Sequence, residues 1–179
     1  MYHLKEDKRV KTSAKLICEA LNKSLKTKKF NEITIIEIQQ KSTVGRATFY
    51  RLFDNLTDVL AFQCDNMMLE LMESTEKLNS DSKGKMLTFM SGIMEHSELL
   101  ETIINSGHIE IIYQSHLKFI DVLSKNLIDT KGISKIETEY MLNVLTYIMI
   151  GVLITWVKNG KKESVEELYN IIKKTTKFA

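Results

Sequence analysis

The sequence predicts an all-α protein of about nine helices, and three observations carry that expectation. The 179-residue chain holds no proline and only seven glycines, whereas β-sandwiches and barrels need turn residues every ~8–12 positions. Apolar residues recur at three- and four-residue spacing along most of its length. Three Ser/Thr-x-x-Glu pairs, Thr34/Glu37, Ser134/Glu137 and Ser164/Glu167, have the capping-box form that opens helices. A composition of 44% apolar and 27% charged residues can fill a core and excludes a disordered tail.

The first helix is expected from about Lys8 to Lys28, with Ala14, Ile17, Cys18, Leu21 and Leu25 on one stripe and lysines on the other faces. Phe30 and Ile33 sit in a connector. Thr34 caps a short second helix from about Ile35 to Lys41, Ser42-Thr43-Val44 turns, and a third helix runs from about Gly45 to Phe53. Asn55 or Thr57 caps a long fourth helix ending near Leu78. The fifth covers about Lys83 to Glu95 with a stripe of Met86, Met90 and Met94. Ser97 caps a short sixth helix that Gly107 ends. The seventh covers about Glu110 to Asp129, with Ile112, Phe119, Leu123 and Leu127 inward, and Thr130-Lys131-Gly132 breaks it. The eighth opens at Ser134 and stops at Asn159-Gly160; the ninth opens at Ser164.

Charge divides the chain. Residues 1–53 carry 12 Lys/Arg against 5 Asp/Glu, a net of +7, and the remainder carries a net of −5. A basic first third either meets a polyanion or is a solvated lysine-rich surface. Two cysteines, Cys18 and Cys64, exclude a disulfide scaffold and a thiolate zinc site. They read as small buried hydrophobes, with a thiol sensor as the alternative, which needs a depressed thiol pKa. The opening M-Y-H-L-K-E-D-K-R has no apolar segment of a secretory signal, so a reducing cytoplasmic compartment is expected.

Two short helices joined by a tight turn over residues 34–53 have the pattern of a helix-turn-helix. In the second of them Phe49, Leu52 and Phe53 share one face and can dock on the preceding helices. Arg46, Ala47, Tyr50 and Arg51 share the other. That face can enter a major groove, where Arg binds guanine edges and Tyr reaches phosphate.

The stretch F-N-E-I-T-I-I-E-I-Q-Q-K-S-T-V-G-R-A-T-F-Y-R-L-F-D-N-L-T-D-V-L, Phe30 to Leu60, resembles the tetracycline-repressor (TetR) family of transcriptional regulators. Its K-K-F-N-E-I-T start and T-F-Y core look like the branch that includes dihydroxyacetone-kinase-operon regulators. The resemblance implies that Thr34 caps the second helix and binds a phosphate. Gly45 stands where a capping Ser is usual. Arg46 would read a base or a phosphate, and Ala47 would approach thymine methyls. Thr48 and Tyr50 would bind phosphates, with Tyr50 also near a base, and Arg51 would bind backbone. Phe30, Ile38, Val44, Phe49 and Phe53 would be core. The chain departs from the pattern at Ser42-Thr43 (often Ala-Gly), Gln39 (often small), Leu56 (often basic) and Ile36 (often Arg), which reduces the expected DNA contacts.

The last two helices, around W-V-K-N-G-K-K-E-S-V-E-E-L, also look like this family's dimerising pair. Met149, Val152 and Trp156 lie on one stripe, and Val165, Leu168 and Ile172 on another. Two such pairs would make an intermolecular four-helix bundle, and a two-fold dimer implies a pseudo-palindromic operator.

The uncharged run Tyr140 to Val157 spans 18 residues, the length of a membrane span. Asn143, Thr146 and Thr155 interrupt it, so a dimer helix is expected and no membrane. Met67, Met90 and Met94 either line an apolar pocket for a small apolar or amphipathic effector or fill an ordinary core. Tyr113, His116 and Tyr147 can supply the polar groups of such a pocket. His96, His108 and His116 lack metal-ligand spacing, and no nucleophile, phosphate-loop or dinucleotide motif occurs. No enzyme activity, metal or cofactor is expected. The expected organisation is a DNA-binding domain over residues 8–66 and an effector and dimerisation domain over 67–179. The expected function is a ligand-responsive repressor; the alternative is a co-activator or adaptor binding a protein partner through its C-terminal domain.

Overall fold

The computed structural model describes residues 2–3, 8–127 and 132–176, with side chains throughout except at 120–127. Among the described residues the chain is all-α, with nine α-helices and no strand. They are α1 (Lys8–Leu25), α2 (Ile35–Ser42), α3 (Arg46–Leu52), α4 (Leu56–Glu76), α5 (Ser82–Glu95), α6 (Ser97–Asn105), α7 (Glu110–Leu127), α8 (Lys135–Lys158) and α9 (Val165–Thr175). A 3-10 turn, Phe30–Glu32, joins α1 to α2.

The boundaries follow from local chemistry. The capping boxes at Ser134/Glu137 and Ser164/Glu167 form in full, each side chain serving the other's backbone N–H. Thr34 accepts from the Glu37 N–H at 3.2 Å, but the Glu37 carboxylate turns to lysines instead of back to Thr34, so the first box is half a box. Asn55 and Asp81 cap α4 and α5. Ser97 is not the cap of α6: His96 holds that position, with no side-chain hydrogen bond. α6 and α8 end alike. Gly107 and Gly160 both sit at φ 81°, and the next residue's N–H reaches back to Ile103 O at 3.0 Å and Trp156 O at 2.8 Å. This left-handed cap favours glycine because it has no Cβ to clash. The expected break at Thr130 and Lys131 lies outside the described residues, and the expected inward Leu123 and Leu127 lie outside the described side chains.

One hydrophobic core runs from α1 to α9. Ala14, Ile17 and Leu21 of α1 meet Ile38, Phe49, Leu52 and Phe53, all buried. Each large side chain so buried contributes about 1.5–3 kcal/mol. α4 joins the two ends of the core. Val59 and Leu60 belong to the α1–α3 cluster, and Met67, Met68, Leu71 and Met72 are buried further along the same helix. Its most extensive contact is with α7. α8 is long and apolar enough to cross a bilayer, yet its row Leu142, Thr146, Ile150, Leu153 and Trp156 is buried against the rest of the protein.

Candidate nucleic-acid interface

α2 and α3 stand as two short helices around a turn whose geometry Thr43 sets, at φ 56° in the left-handed region. Ile38 and Val44 fasten this unit from below. Phe49, Leu52 and Phe53 are 0%, 1% and 0% exposed, so α3 cannot turn about its axis. Its other face is thereby fixed outward. Arg46, Ala47, Tyr50 and Arg51 are exposed and Thr48 is half-buried. The Arg46 guanidinium lies over the Tyr50 ring, 5.5 Å from its centre, which pairs a cation with a π face and orders both side chains. Gly45 precedes α3 in extended conformation and makes no side-chain cap. Thr34 is exposed at the start of α2, as is Ile36.

A charge network holds α2 against α1. Lys28 and Lys41 each donate to Glu37 at 2.8 Å. Buried Ser24 donates to Glu37 at 3.3 Å and accepts from Lys41 at 2.8 Å. Hydrogen bonds from Lys28 and then Lys41 hold the Glu37 carboxyl down to about 2. Two lysines of the basic first third therefore serve the fold. The positive charge of the outward α3 face belongs to Arg46 and Arg51.

The C-terminal stripes pack partly within the protomer. Trp156 and Leu168 are 4% and 3% exposed; Met149, Val152, Val165 and Ile172 are half-buried against the same core. Met149, Val152, Leu168 and Ile172 close, with Met90 and Met94, around a space of about 10 Å³ between α5, α8 and α9. The Trp156 indole N–H donates to Glu163 O at 3.2 Å. These six residues make contacts within one protomer, where α5, α8 and α9 meet. The apolar row left open is on the opposite side of α8. Ile136, Tyr140, Val144 and Tyr147 are 66%, 73%, 54% and 58% exposed. Sequence spacing misses this row because α8 is apolar on every side, so several stripes fit the same helix.

The expected pocket residues do not converge. Met67 lies on the floor of an open cleft of about 1700 Å³ between α1, α4 and α6. Met90 and Met94 border the small space described above. Tyr147 stacks on Tyr113 at the surface, ring centres 4.9 Å apart, and the Tyr113 hydroxyl donates to Asn143 Oδ1 at 3.1 Å. His116 bonds Thr146 across the α7–α8 contact at 2.9 Å. In the cleft, Lys11 and Lys15 of α1 and Lys26 just after it stand on one wall and Glu98 and Glu101 of α6 on another. Burial pushes the Cys18 and Cys64 thiols up to about 12, which argues against a reactive thiolate at either. Among the described residues no group of three His, Cys, Asp or Glu is placed to hold a metal.

Residues 80–178 match a family model, TetR_C_8, described as the transcriptional regulator C-terminal region. No curated protein matches the chain in sequence. The fold is similar to that of Lin0861 from Listeria innocua, with a TM-score of 0.81 at 18% identity over 98% of this chain and 95% of that one. It is also similar to a TetR transcriptional regulator from Streptococcus agalactiae 2603V, with a TM-score of 0.59 at 18% identity over 93% and 94%.

Proposed function

The chain belongs to the TetR family of transcriptional regulators, and from that membership we propose that it is a ligand-responsive repressor that binds a pseudo-palindromic operator as a homodimer. The observation that carries this reading is the orientation of α3. Its aromatic face is locked in the core, so Arg46, Ala47, Tyr50 and Arg51 face solvent together. A helix so presented fits a major groove, with Arg46 on base edges or phosphate and Ala47 against thymine methyls. Thr34, Gly45, Thr48 and Arg51 then approach the phosphate backbone. Residues 8–66 act as the DNA-binding domain and 67–179 as the regulatory one, in the cytoplasm beside the DNA. The K-K-F-N-E-I-T and T-F-Y segments favour a place near the dihydroxyacetone-kinase-operon branch.

The second copy is assigned to the open row of α8, Ile136, Tyr140, Val144 and Tyr147, continued by the half-buried Met149, Val152, Val165 and Ile172 of the stripes expected from spacing. A two-fold interface brings the same row from each chain together. A small apolar or amphipathic effector acts by moving α4, which packs on both α1 and α7. It lowers operator affinity only if it binds the two arrangements unequally. The same α8 row also suits a protein partner, the adaptor reading, and the mass of the purified protein in solution separates the two: a dimer supports the homodimer and a monomer the adaptor.

Fluorescence anisotropy with DNA from upstream of the gene, at two salt concentrations, tests the regulator reading. Wild type is expected to prefer one fragment over random DNA with strong salt dependence, and an Arg46→Ala/Tyr50→Ala double variant to lose that preference. Absence of preference for any upstream fragment overturns it.

A further inference from the structure

A row of ring contacts, met at one end by a lysine of α7, runs to the outward face of α3. Lys118 of α7 stands over the ring of Tyr2, 5.4 Å from its centre. Tyr2 meets Phe62 of α4 edge-on at 5.4 Å. Phe62 meets Phe53 at 5.8 Å, and Phe53 meets Phe49 at 6.0 Å. Phe49 meets Tyr50 at 5.5 Å, and Tyr50 carries Arg46. Phe49 and Phe53 are fully buried, so neither can shift without its neighbours in a close-packed core.

Asp65 holds the far end of this row. Its carboxylate is 7% exposed and accepts from both the Tyr2 hydroxyl and the Lys118 ammonium. Burial first, and the Asp65 hydrogen bond second, push the Tyr2 phenol above its ordinary range, so it remains a donor. A buried carboxylate is costly, and an apolar replacement of the same shape often stabilises as much. What the pairing does provide is one arrangement of three elements. Tyr2 and Lys118 reach the same carboxylate only when the N-terminal arm, α4 and α7 stand as they do here. The next residue of the arm is tied to α3 directly: the His3 N–H donates to Leu52 O at 2.9 Å, and its ring lies 3.3 Å from Asp54 Oδ1.

We propose that Tyr2, held by Asp65 and Lys118, is a positioning residue that transmits the placement of α7 to the recognition helix. When α7 shifts against α4, the Lys118–Asp65 pair opens, Tyr2 loses its seat, and the aromatic row carries the change to Tyr50 and Arg46. The inference rests on the DNA-binding reading above, so its test includes a readout that needs no DNA.

The full chain is labelled with 3-fluorotyrosine, and the Tyr50 resonance is assigned by its loss in Tyr50→Phe. Lys118→Met is expected to move the Tyr50 resonance and Lys118→Arg to restore it. On the upstream duplex, Lys118→Met is expected to weaken binding about 2- to 30-fold. Combining it with Tyr2→Phe should add less than the sum of the two, because both open the same joint. A Tyr50 resonance unmoved in Lys118→Met, with only the melting temperature lowered, makes the cluster merely structural and overturns the inference. A moved resonance with unchanged affinity in a DNA-binding wild type overturns it as well. If wild type binds no DNA and the resonance still moves, the coupling stands and the DNA reading falls.

Discussion

Thr43 holds the left-handed conformation at φ 56° in the turn between α2 and α3, where a glycine is common in the family the sequence resembles. A β-branched residue there is strained, by about 1–2 kcal/mol for an L-residue, and glycine would give back part of that through the freedom of its unfolded chain. Thr43→Gly is therefore expected to raise stability by about 0.5–1 kcal/mol, read as a higher denaturant midpoint with unchanged slope. A lower midpoint would show that the threonine is seated without strain. The same residue illustrates what a sequence conceals. That Ser42-Thr43-Val44 turns was legible, but the strain was not, since a backbone angle is set by how α2 and α3 pack. Glu37 makes the same point. Its spacing from Thr34 suggests a capping box, yet two ammonium groups 2.8 Å away compete more strongly for its carboxylate than one backbone N–H does.

At the scale of elements, the α7–α8 contact contains a half-buried histidine. Thr146 donates its one hydroxyl proton to Leu142 O at 2.7 Å, so toward His116 its oxygen accepts, and His116 Nδ1 carries the proton at 2.9 Å. Burial pushes His116 down from 6.5 to about 4. A base whose folded pKa lies below its unfolded value binds fewer protons folded than unfolded between the two. Stability is then full above pH ~6.5 and falls as pH drops toward ~4, by a total on the order of 2–3 kcal/mol. His116→Asn keeps a donor for Thr146 and removes the titration. The melting temperatures of wild type and variant should run parallel above pH 6.5 and diverge below it, with wild type falling faster. Parallel curves down to pH 4 would mean that the ring is hydrated in the folded protein.

For the whole molecule, the open row on α8 sets the largest expected consequence. In the proposed two-fold assembly Val144 would lie against its own copy or close to it, and Val144→Glu would bring like charges together where water is excluded. Light scattering is expected to show a monomer, and operator affinity to fall about 100-fold or more, as linked binding to two half-sites is lost. A Val144→Glu protein that stays dimeric would move the interface elsewhere. The substitution is at an exposed position, so the monomer should retain its helix content.

All-α architecture, the starts of most helices and the split of α3 into an aromatic face and an arginine face follow from the sequence alone. These are local properties: a cap acts within one turn, and a 3.6-residue period decides which side chains share a side. Which side of a uniformly apolar helix meets its own protein is a different kind of question. α8 could have buried either stripe, and its packing against α6, α7 and α9 selected the row with Leu142, Ile150 and Trp156. The joining of Tyr2, Asp65 and Lys118, residues far apart in the chain, is likewise decided only by the tertiary fold. Periodicity carries no information about which neighbour arrives from elsewhere in the chain, and that neighbour determines whether a stripe is core, interface or site.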